Sequence, residues 1–511
     1  MSVAQGAVRR PPVRVELAGP VRVDSVLEGC DVLAVTVARR GGEDPVPAEA
    51  ARQACAAYRV DLDAVLGAEK VTGRAGEVVR VPALPDGLPQ RLLLLGVGAG
   101  APTDLRRAGA ALGRATRGRH RLVTSLADGA GDAGTRAALE GLLLGAYTPP
   151  ATGTRGRDDV RPVGQVLLVG RHSESAVGRA VTHASATWAA RDLAATPSNV
   201  KTPQWVADRA LEAAADGGLG VEVWDENRLA ADGFGGLLAV GGGSATPPRL
   251  VRLDHDPDGA GSAGRGRRGP VVLVGKGITF DTGGLSIKPR EAMVAMKTDM
   301  SGAAAVLATL AACRALGVRR RVVGLLALAE NAVSGSSYRP ADVVRHYGGR
   351  TVEVANTDAE GRMVLADALA YADDVLDPDL LVDVATLTGA ATLGLGRRHA
   401  ALYATDDRLA AGLAAAADAS GERVWRMPLV EDYLPALHSD VADLRHIPAD
   451  GRIGGGSITA ALFLREFARG RRWAHLDIAG TARSDKDEHE VNKGATGWGA
   501  RLLLRWLESL R

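Results

Sequence analysis

Short apolar runs separated by helical patterns are the feature that most constrains how this chain can fold. In its second half, the near-continuous apolar runs include "VVLVG" (271–275), "RVVGLLALAE" (321–330), "TVEVAN" (351–356), "LLVDVATL" (380–387) and "WAHLDIAG" (473–480). Strands that are apolar on both sides belong to sheets with both faces covered, and such sheets are mostly parallel. The pattern therefore predicts a mostly parallel sheet covered by helices, with ligands bound beyond the carboxyl ends of its strands.

The first third of the chain carries a separate alternation of strands and helices. Strand-like runs such as "DVLAVTVAR" (31–39) and "RLLLLGVGAG" (91–100) alternate with alanine-rich helical patterns over 104–118 and 134–145. This order predicts an N-terminal α/β layer domain over residues 1–173.

A long helical pattern joins the two series. Residues 174–195 carry apolar side chains at helical spacing, and Pro197 follows as a stop signal. We predict a connecting helix over 174–195 and a second α/β domain over 196–511. A chain of 511 residues is long enough for two or more domains.

Further elements are expected in the second domain. The runs "GVEVWD" (220–225) and "RLVRLDHD" (249–256) are predicted strands, and "FGGLLAVGGGS" (234–244) between them is interpreted as another strand that ends in a glycine-rich turn. Two segments rich in Gly, Pro and Thr or Arg, 148–159 and 259–270, are predicted to be exposed loops.

Two glycine-rich segments superficially resemble nucleotide-binding loops. "GVGAG" (96–100) is too short a glycine cluster to be specific, and "GRIGGGSITAAL" (451–462) lacks the Gly-Lys-Ser/Thr that anchors a nucleotide. We interpret both as turns that lead from one element into a helix.

Composition excludes several classes of protein. A net charge of +2 argues against nucleic acid or an anionic membrane as a partner. The three cysteines, Cys30, Cys55 and Cys313, form neither a disulfide framework nor a Cys-based zinc site, and they fit a reducing compartment. The sequence shows no signal peptide and no run of ~18 uninterrupted apolar residues, so we expect a cytoplasmic protein without a membrane span.

Polar side chains cluster just after several predicted strands, at Lys276, Asp281, Lys288, Asp299, Asp358, Glu360, Arg362 and Thr386. Each has an ordinary structural explanation when taken alone. Asp299 could cap the alanine-rich helix that follows it. Asp358 and Glu360 could favour the positive end of the helix that starts near Gly361. The lysines could be solvated surface residues.

Taken together, these residues predict a metal site. Asp281 stands in the apolar and glycine-rich stretch "GITFDTGGLSI", where an unpaired carboxylate would be costly. Four carboxylates at neighbouring strand ends repel one another unless a cation holds them. Carboxylates with an amine are ligands for a divalent metal, and the set exceeds the need of one ion. The sequence therefore predicts a two-metal centre with bridging carboxylates.

The distribution of lysine supports an amine ligand. Only seven of the 62 basic residues are Lys, and three of these fall at Lys276, Lys288 and Lys297. A buried lysine can lose its proton and ligate a metal, whereas arginine effectively cannot. Lys297 is assigned no role, and we expect its replacement by Arg to be nearly silent.

Three stretches resemble the leucyl aminopeptidase family of two-metal exopeptidases. These are "VGKGITFDTGGLSIKP" (274–289), "KTDMSGAAAV" (297–306) and "NTDAEGR" (356–362), and the later "DVATLTGA" and "GGGSITAALFL" fit the family too. The resemblance implies an N-terminal α/β domain, a connecting helix, a C-terminal catalytic metallopeptidase domain and assembly as a hexamer.

The same resemblance implies roles for individual residues. Two divalent ions, Mn²⁺ or Zn²⁺, would be held by Lys276, Asp281, Asp299, Asp358 and Glu360. Among these ligands, Asp281 and Glu360 would bridge the two ions. Lys288 and Arg362 would be the catalytic residues, with a bicarbonate ion at Arg362 as the base. No His lies in any of the motifs, which agrees with a base of another kind.

The implied reaction removes the N-terminal residue of a peptide. Two ions lower the pKa of a shared water, one ion takes the free α-amine, and Lys288 stabilises the oxyanion. The family's first substrate pocket matches small or apolar positions that suit a Leu-like residue: Met296, Thr386, Leu387, Gly389 and Ala479.

Two other functions are weighed against this one. A carboxylate-metal phosphoesterase would want additional basic residues around the metals. A secondary DNA-binding role is disfavoured by the near-neutral charge and by the lack of a nucleic-acid motif.

Overall fold

The computed structural model of the protein describes residues 13–39, 44–81, 88–150, 161–257, 269–448 and 453–510. The chain forms two compact units. One contains the described residues up to Trp188 together with Asp485–Lys493, and the other contains Ala189–Ser484 and the residues from Gly494 onwards. The two-domain α/β class predicted from the sequence is confirmed, whereas the predicted boundaries at 173/174 and 195/196 stay predictions.

Within its described residues, the first unit contains seven strands, four helices and the start of a fifth. The strands are β1 (Arg14–Gly19), β2 (Val32–Ala38), β3 (Val46–Pro47), β4 (Val78–Val81), β5 (Arg91–Gly96), β6 (Arg121–Thr124) and β7 (Gln165–Val169). The helices are α1 (Glu49–Ala57), α2 (Leu62–Ala68), α3 (Pro102–Ala115), α4 (Gly131–Ala146) and α5 (Glu174–Ala195), which coincides with the predicted connecting helix.

The strands of the first unit form one sheet in the order β1-β7-β6-β2-β5-β4, with β3 paired to β2. Strands β1, β7, β6, β2 and β5 are parallel to their neighbours in this order. Strand β4 pairs antiparallel with β5, and β3 pairs antiparallel with β2. The segment "GVGAG" is a turn between β5 and α3, as predicted. There the Asp104 carboxylate accepts the Ala99 N–H at 3.1 Å.

The second unit contains the remaining elements. Its helices are α6 (Pro203–Gly217), α7 (Glu226–Ala231), α8 (Gly235–Gly241), α9 (Arg290–Met293), α10 (Ser301–Leu316), α11 (Glu360–Tyr371), α12 (Gly389–Leu395), α13 (Asp407–Ser420), α14 (Gly456–Ala468) and α15 (Ala500–Ser509). Its strands are β8 (Gly220–Trp224), β9 (Arg249–His255), β10 (Val271–Asp281), β11 (Val322–Asn331), β12 (Val343–Arg345), β13 (Thr351–Glu353), β14 (Leu380–Ala385), β15 (Ala400–Ala404), β16 (Val424–Arg426), β17 (Leu444–Arg445), β18 (Trp473–Asp477), β19 (Arg483–Ser484) and β20 (Gly494–Ala495).

An eight-stranded sheet organises the second unit, in the order β16-β15-β18-β14-β10-β11-β9-β8. Its four central strands, β18, β14, β10 and β11, are parallel to their neighbours in this group. They are buried along almost their whole length, as the continuous apolar runs predicted. Their carboxyl ends lie side by side, so side chains at these ends can converge on one site.

Helix α10 packs unusually close to this sheet. A Cβ on Gly302 would lie 2.0 Å from the main-chain oxygen of Val384, and a Cβ on Gly275 would lie 2.5 Å from Cα of Ala303. The helix ends at Gly317, whose φ of 66° suits glycine. The glycines and alanines of this segment thus bring the start of α10 against the middle of β10 and the end of β14.

Two details of the second unit differ from the sequence prediction. The run at 234–244 contains helix α8 and no strand. The run at 351–356 contributes β13 to a separate three-stranded sheet, in the order β12-β13-β17, and not to the large sheet. Both runs are too short for their periodicity to separate a helix from a strand or to identify the partner strand.

Other predictions of single segments are confirmed or lie outside the described residues. "GGGSITAAL" is a glycine-rich turn into α14, as predicted. Most of the predicted loops at 148–159 and 259–270 fall outside the described residues. Within the described residues, one segment, Arg290–Leu316, is long and apolar enough to cross a membrane, but 83% of its apolar window is buried in the structure.

Candidate metal centre

Lys276 stands at the middle of a cluster of buried carboxylates. It lies within β10, five residues before the strand ends, because the strand continues past the predicted run. Its Nζ is 2.9 Å from Oδ2 of Asp299 and 2.8 Å from Oε1 of Glu360, and it donates to the main-chain oxygen of Thr386 at 2.7 Å. A Cβ on Gly361 would lie 2.4 Å from Cε of Lys276. Glycine after Glu360 thus leaves room for the lysine.

Lys288 bridges the other two acids of the cluster. Its Nζ lies 2.8 Å from Oδ2 of Asp281 and also forms an ion pair with Oδ1 of Asp358. Asp281 is the last residue of β10, and its Oδ1 accepts the N–H of Gly283 at 2.8 Å. The strand end and the loop after it therefore contribute one acid and one base to the same cluster.

Three of the acids satisfy a simple geometric test for a metal site. Asp281, Asp358 and Glu360 each offer a carboxylate oxygen, and these oxygens lie within 4.8 Å of one another. Asp299 joins them through Lys276, which contacts both Asp299 and Glu360. The structure thus brings the five predicted ligands together.

The four carboxylates of the cluster outnumber its two lysines, and the cluster is largely shielded from water. Burial raises the pKa of Asp299 to about 8, against the opposing effect of Lys276. Burial also raises the pKa values of Asp281 and Asp358. For Lys276, burial lowers the pKa, but the carboxylates of Asp299 and Glu360 outweigh it and leave the pKa raised. Bound divalent cations would lower the pKa values of these carboxylates again, because they favour the charged form of nearby carboxylates.

Arg362 lies one turn into α11 and is buried. Its Nη1 donates to the main-chain oxygen of His446 at 2.7 Å, and its Nε has no hydrogen-bond partner among the described residues. Burial lowers the pKa of its guanidinium to about 10, so the group is still cationic at neutral pH. An unpaired N–H on a buried cation can receive an anion.

A hydrogen-bond network that the sequence analysis did not identify joins the two ligand-bearing loops. Asn331, at the end of β11, donates to Oδ1 of Asp281 at 2.8 Å and to the main-chain oxygen of Thr357 at 3.0 Å. The Thr357 hydroxyl donates to the oxygen of Gly283 at 2.7 Å and accepts the N–H of Ser286 at 2.8 Å. The only sequence signal for this network is the position of Asn331 at the carboxyl end of a buried strand.

The proposed pocket residues lie beside the acids. The Thr386 hydroxyl donates to Oδ1 of Asp299 at 2.7 Å. Asp477, at the end of β18, accepts the N–H groups of Leu387 at 3.2 Å and Ala479 at 3.1 Å. Met296 begins a short 3-10 helix, Met296–Thr298, directly before Asp299. Gly389, the first residue of α12, is exposed. Asp477 had not been singled out from the sequence.

Two of the ordinary explanations for the polar residues do not describe the structure. Asp299 is no helix cap, because its carboxylate contacts Lys276 and Thr386 and the residue before α10 is Met300. Lys276 and Lys288 are not solvated, since 3% and 14% of their side-chain surfaces are exposed. Lys297, which was assigned no role, donates to the main-chain oxygen of Ala195 at 2.9 Å.

The fold and this cluster of candidate ligands are those of a metal-dependent hydrolase. More particularly, the chain belongs to the cytosol aminopeptidase family. The model of the family's catalytic domain matches residues 188–504, and the model of its N-terminal domain matches residues 32–151. The protein is therefore a metal-dependent peptide hydrolase, and the resemblance seen in the sequence is confirmed.

Individual relatives match over most of their length. A probable cytosol aminopeptidase of Leifsonia xyli is 45% identical over 469 residues, which cover 89% of this chain and 92% of the relative. One from Streptomyces avermitilis is 42% identical over 516 residues, 96% of each chain.

Two solved structures show the same fold. The bottromycin maturation enzyme BotP in complex with Mn matches with a TM-score of 0.82 and 39% identity, over 94% of this chain and 99% of that chain. A mutant of tomato leucine aminopeptidase matches with a TM-score of 0.83 and 30% identity, over 98% of this chain and 97% of that chain.

Proposed function

We propose that the protein is a cytoplasmic aminopeptidase that releases N-terminal residues, preferably Leu-like, from peptides by two-metal hydrolysis. The single observation that carries the proposal is the convergence of four carboxylates and one buried lysine from β10, from the segment before α10 and from the start of α11. Two ions would be held by Lys276, Asp281, Asp299, Asp358 and Glu360, and the family resemblance implies that Asp281 and Glu360 would serve both ions.

The chemistry of these residues fits two divalent ions. Four carboxylates and an amine exceed the protein ligands that one ion needs. Apart from its ion pair with Lys276, Oδ2 of Asp299 is buried and accepts no hydrogen bond from the described residues. The ions supply a Lewis acid and a water of lowered pKa. The Mn in the BotP structure supports Mn²⁺ as one of the ions, and Zn²⁺ is the second candidate.

Lys276 and Lys288 have different parts in this proposal. Against the effect of burial, the carboxylates of Asp299 and Glu360 leave the pKa of Lys276 raised in the metal-free chain, so Lys276 would become an amine ligand only when a bound ion displaces its proton. Lys288 is assigned to no ion and keeps its proton, because Asp281 and Asp358 oppose the effect of burial and leave its pKa raised. Its ammonium donates to the oxyanion that develops on the scissile carbonyl, which is a stronger interaction in the transition state than in the substrate.

Arg362 would bind the bicarbonate ion that serves as the general base. The unpaired Nε of its guanidinium supports a bidentate contact with a planar anion such as bicarbonate. Bicarbonate bound there would accept a proton close to the scissile bond. His446, the histidine that Arg362 contacts, is a poor alternative base. Both of its ring nitrogens have backbone partners, and burial lowers its pKa to about 4.

The substrate's first side chain would lie among Met296, Thr386, Leu387, Gly389 and Ala479. All five are partly or fully exposed although they adjoin the buried acids, as is expected of a pocket wall. Their apolar or small side chains favour a Leu-like residue, and a free α-amine would be an additional metal ligand.

The cytoplasmic location and the homohexamer belong to the proposal as well. The location is supported by relatives named cytosol aminopeptidases. The hexamer rests on the family resemblance alone. No observation favours the phosphoesterase or the DNA-binding alternative.

Acetylation of the substrate's amine tests the proposal. Leu-anilide and N-acetyl-Leu-anilide are compared with the Mn²⁺-loaded protein, and p-nitrophenyl phosphate serves as the phosphoesterase control. We expect the acetylated substrate to be cleaved at least about 100-fold more slowly in kcat/KM, because the amine is lost as a ligand. Similar rates for the two anilides would contradict the exopeptidase assignment.

A further inference from the structure

His446 is fully buried next to the candidate centre, and neither the sequence motifs nor the proposed mechanism use it. It follows β17, which pairs in parallel with β13 through Val352↔Leu444 and Glu353↔Arg445. The His446 N–H continues this pairing, because it donates to the oxygen of Glu353 at 3.3 Å.

Beyond the last main-chain hydrogen bond between these segments, the imidazole ring of His446 makes the next contacts. Its Nδ1 lies 3.2 Å from the nitrogen of Ala355 and 3.2 Å from the main-chain oxygen of Glu353, and its Nε2 lies 2.9 Å from the oxygen of Asn356. With the proton on Nε2, the ring donates to Asn356 and accepts the N–H of Ala355, while the oxygen of Glu353 already accepts the main-chain N–H of His446. The ring thus acts as a side-chain extension of the strand.

The segment held by the ring leads directly into the ligands. Asn356 accepts the N–H of Asp358 on its side-chain oxygen at 2.8 Å and the N–H of Ala359 on its main-chain oxygen at 3.1 Å. Glu360 then begins α11. Movement of Asn356 would therefore be passed on to Asp358 and to the first turn of the helix.

The main chain of the same histidine faces Arg362. Its oxygen accepts Nη1 of Arg362 at 2.7 Å, the hydrogen bond that fixes this buried guanidinium. One residue therefore holds the segment before the ligands with its ring and the guanidinium with its carbonyl. Loss of the ring contacts would therefore increase the mobility of the segment before the ligands and of the Arg362 guanidinium together.

We propose that His446 is a positioning residue for Arg362. Its imidazole holds residues 355 and 356 next to the main-chain oxygen of His446 that Arg362 contacts, and this keeps the guanidinium aligned with the centre. This inference rests on the proposed function, because it assumes that Arg362 takes part in the reaction. His446 itself does not touch the reacting atoms.

A double-mutant cycle on the metal-loaded protein tests the proposal. The four proteins are wild type, His446→Leu, Arg362→Ala and the double variant, and kcat, KM and metal content are measured for each. We expect His446→Leu to lower kcat by about 10- to 100-fold with metal content retained, because small misplacements of a catalytic group have effects of this size. In the Arg362→Ala background, the same change should alter kcat by less than about twofold.

Other results would contradict the role of His446, or the roles of His446 and Arg362 together. Equal losses in both backgrounds, or no loss in the wild-type background, would show that His446 does not act through Arg362, while the proposed function would stand. Near-normal activity of Arg362→Ala would contradict the catalytic role of Arg362 and this inference together. If His446→Leu does not fold, the cycle is repeated with His446→Asn, whose amide can accept the N–H of Ala355 but is too short to place a donor where Nε2 of His446 contacts the oxygen of Asn356. The same criteria then decide.

Ser439→Ala is the matched control. Its hydroxyl donates to Glu353 at 2.7 Å, so the change perturbs the same small sheet. Among the described residues, the hydroxyl of Ser439 forms hydrogen bonds with Glu353, Val441 and Ala442 and none with Arg362 or with residues 355 and 356, so we expect kcat to be unchanged. A comparable loss in Ser439→Ala would show that general loosening of this sheet explains the effect, and would overturn the assignment of His446.

Discussion

Each of two lysines in the centre pairs with two carboxylates. Lys276 contacts Asp299 and Glu360, and Lys288 contacts Asp281 and Asp358. Burial of an ionised carboxylate is costly without a compensating cation. The two ammonium groups offset part of this cost, which allows the chain to bring four acids together before any metal binds.

Replacement of Lys276 by Arg tests the amine ligand. We expect Lys276→Arg to lose bound metal and at least about 100-fold in kcat/KM, because a guanidinium keeps its charge and offers no lone pair. The close approach of Gly361 to the lysine side chain also leaves no room for the larger group. Metal content after dialysis, kcat/KM and the melting temperature are measured.

The control for this variant is Lys486→Arg, since 73% of the Lys486 side chain is exposed. Its metal content and activity should be unchanged. Lys297→Arg, which we expect to be nearly silent, is less suited as a control, because Nζ of Lys297 donates to the main-chain oxygen of Ala195 at 2.9 Å. Retained stoichiometry with near-normal turnover in Lys276→Arg would show that Lys276 is not a metal ligand.

Residue types with special chemistry were predictable from the sequence, whereas main-chain contacts were not. Asp281 stood out because a carboxylate in an apolar stretch is costly to bury without a partner, and Lys276 stood out because the chain otherwise prefers Arg to Lys. His446 and Lys297 did not stand out, because their partners are main-chain groups such as the oxygen of Ala195, 102 positions away. Any residue type can supply such an oxygen, so the sequence carries no sign of it.

At the scale of secondary-structure elements, the site depends on where strands end. Asp281 pairs with Asn331 across β10 and β11, and both are the last residues of their strands. The sequence located the strands correctly but ended β10 too early, at Gly275, because apolar residues stop dominating there. Parallel pairing with β11 extends the strand beyond the apolar run, and this depends on a partner distant in sequence.

The close contact of α10 with the sheet gives a prediction for stability. Gly302→Ala would place a Cβ 2.0 Å from the main-chain oxygen of Val384, where neither backbone can shift freely. We expect a loss of about 1–3 kcal/mol in unfolding free energy, as for other overpacked sites. Metal affinity should fall as well, because Asp299 lies two residues before α10. Denaturant unfolding and metal titration measure both effects.

Gly394→Ala is the matched control in the same unit. Gly394 lies in α12, and a Cβ there would meet no atom within 4 Å. Alanine is the better helix former by up to about 1 kcal/mol, so stability should stay equal or rise slightly. If Gly302→Ala proves as stable as Gly394→Ala, the helix is not held against the sheet as closely as the structure indicates.

At the scale of the whole molecule, each unit contains its own sheet and its own buried core. The core of the second unit extends over the large sheet and the helices around it. Its stability therefore does not depend on metal alone, in contrast to small domains that fold only when metal binds. The lysine pairs of the centre support the same conclusion, because they balance part of the acidic charge of the metal-free chain.

The number of metal ions per active chain tests the central claim most directly. The protein is stripped with a chelator, checked for retained fold by circular dichroism, and titrated with Mn²⁺ while bound metal and Leu-anilide hydrolysis are followed. The account predicts an inactive but folded stripped protein and full activity at two ions per chain, since five ligands exceed the need of one ion. Full activity at one ion per chain, or unchanged activity after complete removal of metal, would contradict it.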